Sequence, residues 1–165
     1  MDALDELEQM HQEARAAFEK IVSGAPDDRG PSWAKLKAEL KLHEQIEERF
    51  VYDPVVEHHA DEDTRISRYH EQHETEASQA NAMIDGLSSL EPTGDAWLTQ
   101  IQELQATMER HMQQEEQEFW PLIREIWGED DLQRAGISVA AAKAAGKAGA
   151  TVAEALDRAG QAAGR

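Results

Sequence analysis

ERHMQQEEQEFWP, residues 109–121, decides the fold. It sets His111 four residues before Glu115, and on an α-helix that spacing stacks both side chains on one face, one turn apart. The same phrase stands earlier as HEQIEERF, residues 43–50, with His43, Glu47 and a following Phe50. Two His-x-x-x-Glu phrases, each trailed by an aromatic, predict two arms of one metal site.

Working outward, the apolar residues repeat at alternating spacings of three and four, the period of bundle helices. A first helix is predicted over 3–22, capped by Asp2, with the seam Leu4, Leu7, His11, Ala14, Phe18 and Ile21. After the turn SGAPDDRGP, a second runs over 32–52 with Trp33, Leu36, Leu40, His43, Glu47 and Phe50. Asp53-Pro54 should end or kink it, leaving VVEHHADED as a connector with room for one more turn. A third helix over 63–90 carries Ile66, His70, His73, Ala77, Ala80, Ile84 and Leu87. A fourth, over 95–127, carries Trp97, Ile101, Leu104, Met108, His111, Glu115, Phe119 and Leu122, with a kink expected at Pro121.

Four seams joined by short turns imply an all-α, antiparallel up-down-up-down four-helix bundle over residues 1–127. Counting from each hairpin turn brings His11 level with His43, His73 level with His111, and His70 level with Glu115. Five of the seven histidines and two glutamates thus occupy positions that should be apolar. A lone histidine on such a face is an ordinary core residue. Seven polar side chains buried together are costly unless something pairs with them.

Composition limits what that partner is. With no cysteine among 165 residues, thiolate sites and disulfides are excluded, and a metal must be held by nitrogen and oxygen, which suits iron, manganese or zinc. A net charge of −18 argues against nucleic acid. No long apolar run suggests a membrane span, and no signal segment follows Met1, so the expected location is the cytoplasm. From residue 128 the chain turns alanine- and glycine-rich. Residues 134–165 hold five basic and two acidic side chains, leaving about −21 on the rest. This segment, 128–165, is expected to be a solvated tail, weakly helical around Val152 and Leu156 or disordered.

Seven ligands are too many for one ion and fit two ions bridged by two carboxylates. With a water-derived oxygen as a further bridge, one position stays open for a small molecule. The residues MHQEARAAFEKI around His11, LKLHEQIEERFVYDP around His43 and Glu47, and ERHMQQEEQEFWP around His111 and Glu115 resemble the hemerythrin-like, or HHE cation-binding, proteins. The resemblance spans about residues 1–127. It implies a non-haem di-iron centre, carboxylate- and oxo- or hydroxo-bridged, with His11, His43, Glu47, His70, His73, His111 and Glu115 as the metal set. The third helix departs from hemerythrins proper: its histidines are three apart, not four, so either both bind or His73 binds with His70 behind it. Glu44 is an extra ligand in some relatives and otherwise a solvated flank. Phe50, Phe119 and Trp120 are expected to wall the site, with Tyr52 at the helix end.

The implied partners are dioxygen, hydrogen peroxide or nitric oxide. The protein would bind, store or sense oxygen, or act as an oxidoreductase that breaks down peroxide, reduces nitric oxide or oxidises ferrous iron. A third possibility is an interaction module whose metal only holds the bundle together. The sequence identifies no electron donor.

Overall fold

The structure, a computed structural model, describes residues 1–164, and among them there is no strand. Helix α1 (Ala3–Ser23) opens at Asp2, whose carboxylate accepts from the amides of Leu4 and Asp5 while Asp5 reciprocates on the Asp2 amide, a complete capping box. After a short 3-10 turn at Pro26–Asp28 comes α2 (Arg29–Glu47). Then follow α3 (Asp53–His59), α4 (Thr64–Leu87), α5 (Asp95–Gln114) and α6 (Trp120–Ile126). Short turns make successive rods antiparallel, giving the expected hemerythrin-like helical bundle.

The prolines neither end these rods nor leave a gap in them. α2 runs into α3 through a π turn, Glu48–Tyr52, and α5 runs into α6 through another, Glu115–Phe119. Pro54 and Pro121 each fall in the first turn of the segment that follows. A proline inside an α-helix lacks a donor and clashes with the carbonyl four residues back. The wider turn moves that carbonyl away, so the rod continues. One π turn comes directly after a His-x-x-x-Glu phrase and the other begins on its glutamate, Glu115, a placement common at functional sites.

Two apolar clusters fill the bundle. One holds Phe18, Ile21, Trp33, Leu36, Ile84, Leu87, Trp97 and Leu104 at the end where α1 meets α2 and α4 meets α5. The other gathers Leu4, Leu7, Ile46, Tyr52, Ile66, Phe119, Trp120 and Ile123 at the opposite end. The buried polar side chains lie between them.

The alanine- and glycine-rich segment corrects an expectation. Instead of a weakly helical or disordered tail, it forms α7 (Glu129–Lys147) and α8 (Val152–Ala163), a hairpin packed on α1 and α2. Leu132, Val139, Ala142, Ala155 and Ala159 belong to the same apolar cluster as Leu4 and Ile46. Small residues matter here because they permit close approach. A Cβ on Gly146 would sit 2.3 Å from Leu42 Cδ2, and one on Gly136 would sit 2.9 Å from the Met1 carbonyl. Two lysines of the hairpin pair with the acidic body: Lys143 Nζ lies 3.3 Å from Glu13 Oε1 and donates to Gln9 Oε1 at 2.8 Å, and Lys147 Nζ donates to Glu13 Oε1 at 3.2 Å.

Candidate metal centre

Four helices each deliver a polar side chain to the space between the apolar clusters: His11 from α1, His43 and Glu47 from α2, His73 from α4, His111 from α5. Glu115 enters from the π turn that follows α5. His11, His43, Glu47, His73 and Glu115 are at most 9% exposed. Their ligating atoms form two overlapping groups, His11–His43–Glu47–Glu115 and Glu47–His73–His111–Glu115, each within 4.8 Å. Both groups share the two carboxylates.

The ring nitrogens that face inward are all Nε2. His43 Nε2 lies 2.8 Å from Glu47 Oε1, and His11 Nε2 lies 3.3 Å from Glu115 Oε2. His73 Nε2 is 3.4 Å from Glu47 Oε2 and 3.5 Å from Glu115 Oε1, and His111 Nε2 is 3.5 Å from that same oxygen. The outward nitrogens meet other carboxylates: His11 Nδ1 lies 2.7 Å from Glu116 Oε1, and His111 Nδ1 lies 2.5 Å from Glu76 Oε2. His73 Nδ1 makes no such bond: Glu48 stands 3.5 Å away without hydrogen-bonding to it. A carboxylate acceptor requires the hydrogen on Nδ1, which leaves the Nε2 lone pair aimed at the centre. This is how metal-ligating imidazoles are held.

Inside the cluster, hydrogen bonding is incomplete. Glu47 Oε1, Glu115 Oε2, His43 Nδ1 and His73 Nδ1 are buried with no hydrogen-bond partner. Buried polar atoms almost always find one. The two inward oxygens, surrounded by nitrogens at 2.8–3.7 Å, are aligned for none of them. A cation between these groups would satisfy both oxygens and all four Nε2 atoms, so the donor set fits a nitrogen- and oxygen-ligated metal.

Without such a cation, protons take its place. Burial alone would lower His11, but Glu115, Glu116 and Glu47 outweigh it and raise its pKa well above the ordinary histidine value. Burial likewise opposes protonation of His73, yet Glu47, Glu115 and Glu48 push it up to about 9. His111 is raised too, by Glu115 and Glu76 against burial. Burial would raise Glu47, but His43, His11 and His73 hold it well below the usual carboxylate range. The centre therefore attracts positive charge.

Three carboxylates, Glu116, Glu76 and Glu48, surround the centre without having been singled out in the sequence, whereas the expected aromatic wall is present. Glu116 takes a bidentate grip from Arg15, at 2.9 and 3.1 Å. Burial favours its neutral form, but His11 and Arg15 prevail and hold it at about 2. Glu76 stands three residues after His73, and Glu48 directly after Glu47, positions that read as solvated helix surface. Tyr52 is fully buried. Its hydroxyl donates to Glu115 Oε1 at 2.7 Å and accepts from Trp120 Nε1–H at 2.8 Å, while Trp120 stacks on His11 with ring centroids 4.8 Å apart. Phe119 packs against Tyr52, and Phe50 lies at the edge of the same apolar cluster.

Six of the seven sequence-predicted residues thus come together, and His70 does not. Three residues from His73, it is turned about 60° off the inward direction and sits nearly one turn along. Its Nε2 lies 2.5 Å from Glu48 Oε1, in a separate, half-exposed group with Glu74. Glu44 also stays outside, accepting from Asn81 Nδ2 at 3.3 Å. No helix among the described residues is long and apolar enough to cross a membrane.

A family model described as Hemerythrin HHE cation binding domain matches residues 2–123. The matched span contains all six converging residues and stops within α6, before the α7–α8 hairpin. No curated protein and no solved structure matches the chain.

Proposed function

The chain belongs to the hemerythrin HHE cation-binding domain family, and from that premise we propose that it holds a non-haem di-iron centre that binds or turns over a small oxidant: dioxygen, hydrogen peroxide or nitric oxide. The observation that carries this reading is the pair of overlapping nitrogen and oxygen groups that share Glu47 and Glu115. His11 and His43 would hold one ion, His73 and His111 the other, and the two carboxylates would span both. The chemistry that a bound iron pair would supply is one-electron redox at each ion.

The chain's own residues set the conditions for that chemistry. Glu116 and Glu76 orient the imidazoles of His11 and His111 and add negative charge around them. Tyr52 keeps its proton at neutral pH, because burial and then the charges of Glu115 and Glu47 raise its pKa well above 10. Its hydroxyl is thus a proton donor 2.7 Å from a shared carboxylate. The rings of Tyr52, Phe119 and Trp120 keep bulk water from that side.

Metal content and an absorption spectrum, recorded on reduced protein and then with air, azide and peroxide, test the proposal. About two iron ions per chain are expected, as in other di-iron bundles, with loss of both in Glu115→Ala. Wild-type protein that takes up no iron, or Glu115→Ala protein that retains the full complement, overturns it. A reversible colour change on oxygen cycling assigns a carrier or sensor. Oxygen release from peroxide, or consumption of nitric oxide, assigns an oxidoreductase.

A further inference from the structure

A cavity of about 340 Å³ lies between α1, α2, α5 and the turn that joins α7 to α8. One wall carries His11, His43 and His111 of the candidate centre. The rest is largely apolar, with Met10, Met108 and Met112 prominent. The hairpin closes it with Gly146, Ala150 and Val152, residues beyond the span matched by the family.

This volume is far more than a diatomic gas needs, being roughly ten times a water molecule's share of liquid, ~30 Å³. It also exceeds twice the ~150 Å³ at which a dry apolar cavity in another protein takes up benzene. One turn of helix with its side chains occupies about 400 Å³, so a partner helix does not fit within these four elements. Methionine side chains adapt to varied apolar shapes. Three ammoniums line the cavity: Lys143 is engaged by Gln9 and by Glu13 at 3.3 Å, Lys147 by Glu13 at 3.2 Å, and Lys41 is exposed, so an anionic head would have to displace a carboxylate or lie outward at Lys41. We propose that this cavity is a binding site for a compact, neutral, apolar organic molecule, held by three methionines and the α7–α8 turn against the histidines of the centre. The site stands on the cavity alone and needs no metal in it.

Methionine-methyl NMR on the full-length, metal-free chain tests it directly, with indole as the probe. The chain has five methionines: Met10, Met108 and Met112 line the cavity, while Met1 and Met83 lie outside it and serve as internal references. Indole should shift the first three in a saturable manner and leave the other two in place. Ala150→Phe at the turn, and separately Ala14→Phe on α1, should fill the space and weaken binding by roughly tenfold or more, a loss of about 1.4 kcal/mol. Ala150 is half-buried in a turn, so that variant tests the site even where Ala14→Phe fails to fold. No saturable shift, equal shifts at Met1 and Met83, or unchanged affinity in Ala150→Phe overturns the proposal. Tighter binding of indole-3-acetate than of indole overturns the neutral-ligand assignment.

Discussion

The two sides of the centre share both carboxylates but are built differently. On the α4 and α5 side, His111 Nδ1 is held by Glu76 while His73 Nδ1 has no hydrogen-bond partner, and the space beside His73 is small, about 30 Å³ in the larger of two pockets. On the α1 and α2 side, His11 is fixed by Glu116, Arg15 and the stacked Trp120, whereas His43 Nδ1 has no partner, and both rings border the 340 Å³ cavity, which reaches His111 across the centre but not His73. One side faces room with both its rings, the other with His111 alone. The lesson is that equal donor sets can have unequal access, and a molecule larger than a gas would arrive beside His11, His43 and His111 and not beside His73.

The strongest way to break this comparison is to remove what the sides have in common. Glu47→Ala should abolish metal retention on both, measured as metal per chain after dialysis, because each group loses a shared carboxylate. Retention of one ion would show that the sides are independent. Next, His11→Ala and His73→Ala should each lose one ion of the pair and leave the other, which would confirm the division of ligands. Smaller effects come from the outward partners. Glu116→Gln and Glu76→Gln should each weaken metal affinity by about 10–100-fold, seen in competition with a chelator. Equal affinity to wild type would demote these carboxylates to surface pairs. Tyr52→Phe should cost about 1–3 kcal/mol by denaturant melting, since the buried Trp120 N–H loses its acceptor.

A pH comparison sharpens the contrast between metal-free and loaded protein. His73 rises from an ordinary 6.5 to about 9 in the metal-free fold. Its contribution to stability is complete below pH 6.5 and lost as pH rises through 9. Glu47 is lowered from 4.5, so its contribution is present above that pH and lost as acid protonates it. The metal-free chain should therefore be most stable near pH 4.5–6.5. Metal binding needs unprotonated imidazoles, so the gain in melting temperature on loading should widen from pH 6 to pH 9. A gap that narrows over that range would contradict the assignment of these rings as ligands.

Much of this was legible in the sequence because the polar residues interrupted an otherwise regular apolar seam. The approximate boundaries of three of the four bundle rods, the Asp2 cap and the convergence of His11, His43, Glu47, His73, His111 and Glu115 follow from spacing, whereas the second rod starts earlier, at Arg29, and runs past Pro54 to His59. His70, expected either to bind or to stand behind His73, falls outside the converging groups, because counting levels along an axis ignores rotation about it. Glu48, Glu76 and Glu116 were invisible for another reason. On a chain with 34 acidic residues, a glutamate beside a seam looks like any solvated glutamate until the partner helix is in view. The α7–α8 hairpin was misread because alanine and glycine carry little hydrophobic signal of their own. Their contribution lies in how near they let α7 come to α1 and α2.

The π turns have one more consequence. Each amounts to a single residue inserted into a helix, placed after the histidine and glutamate it follows in the case of Glu48–Tyr52. A chain shortened by one residue there would restore an unbroken α-helix. His43 and Glu47 would keep their orientation, but everything beyond would swing by about 100°. Tyr52 would turn away from Glu115 and Trp120. The candidate metal ligands and the hydroxyl poised beside them are thus separable by the loss of one amino acid, so that the surroundings of the centre could be altered on this scaffold without touching a single candidate ligand.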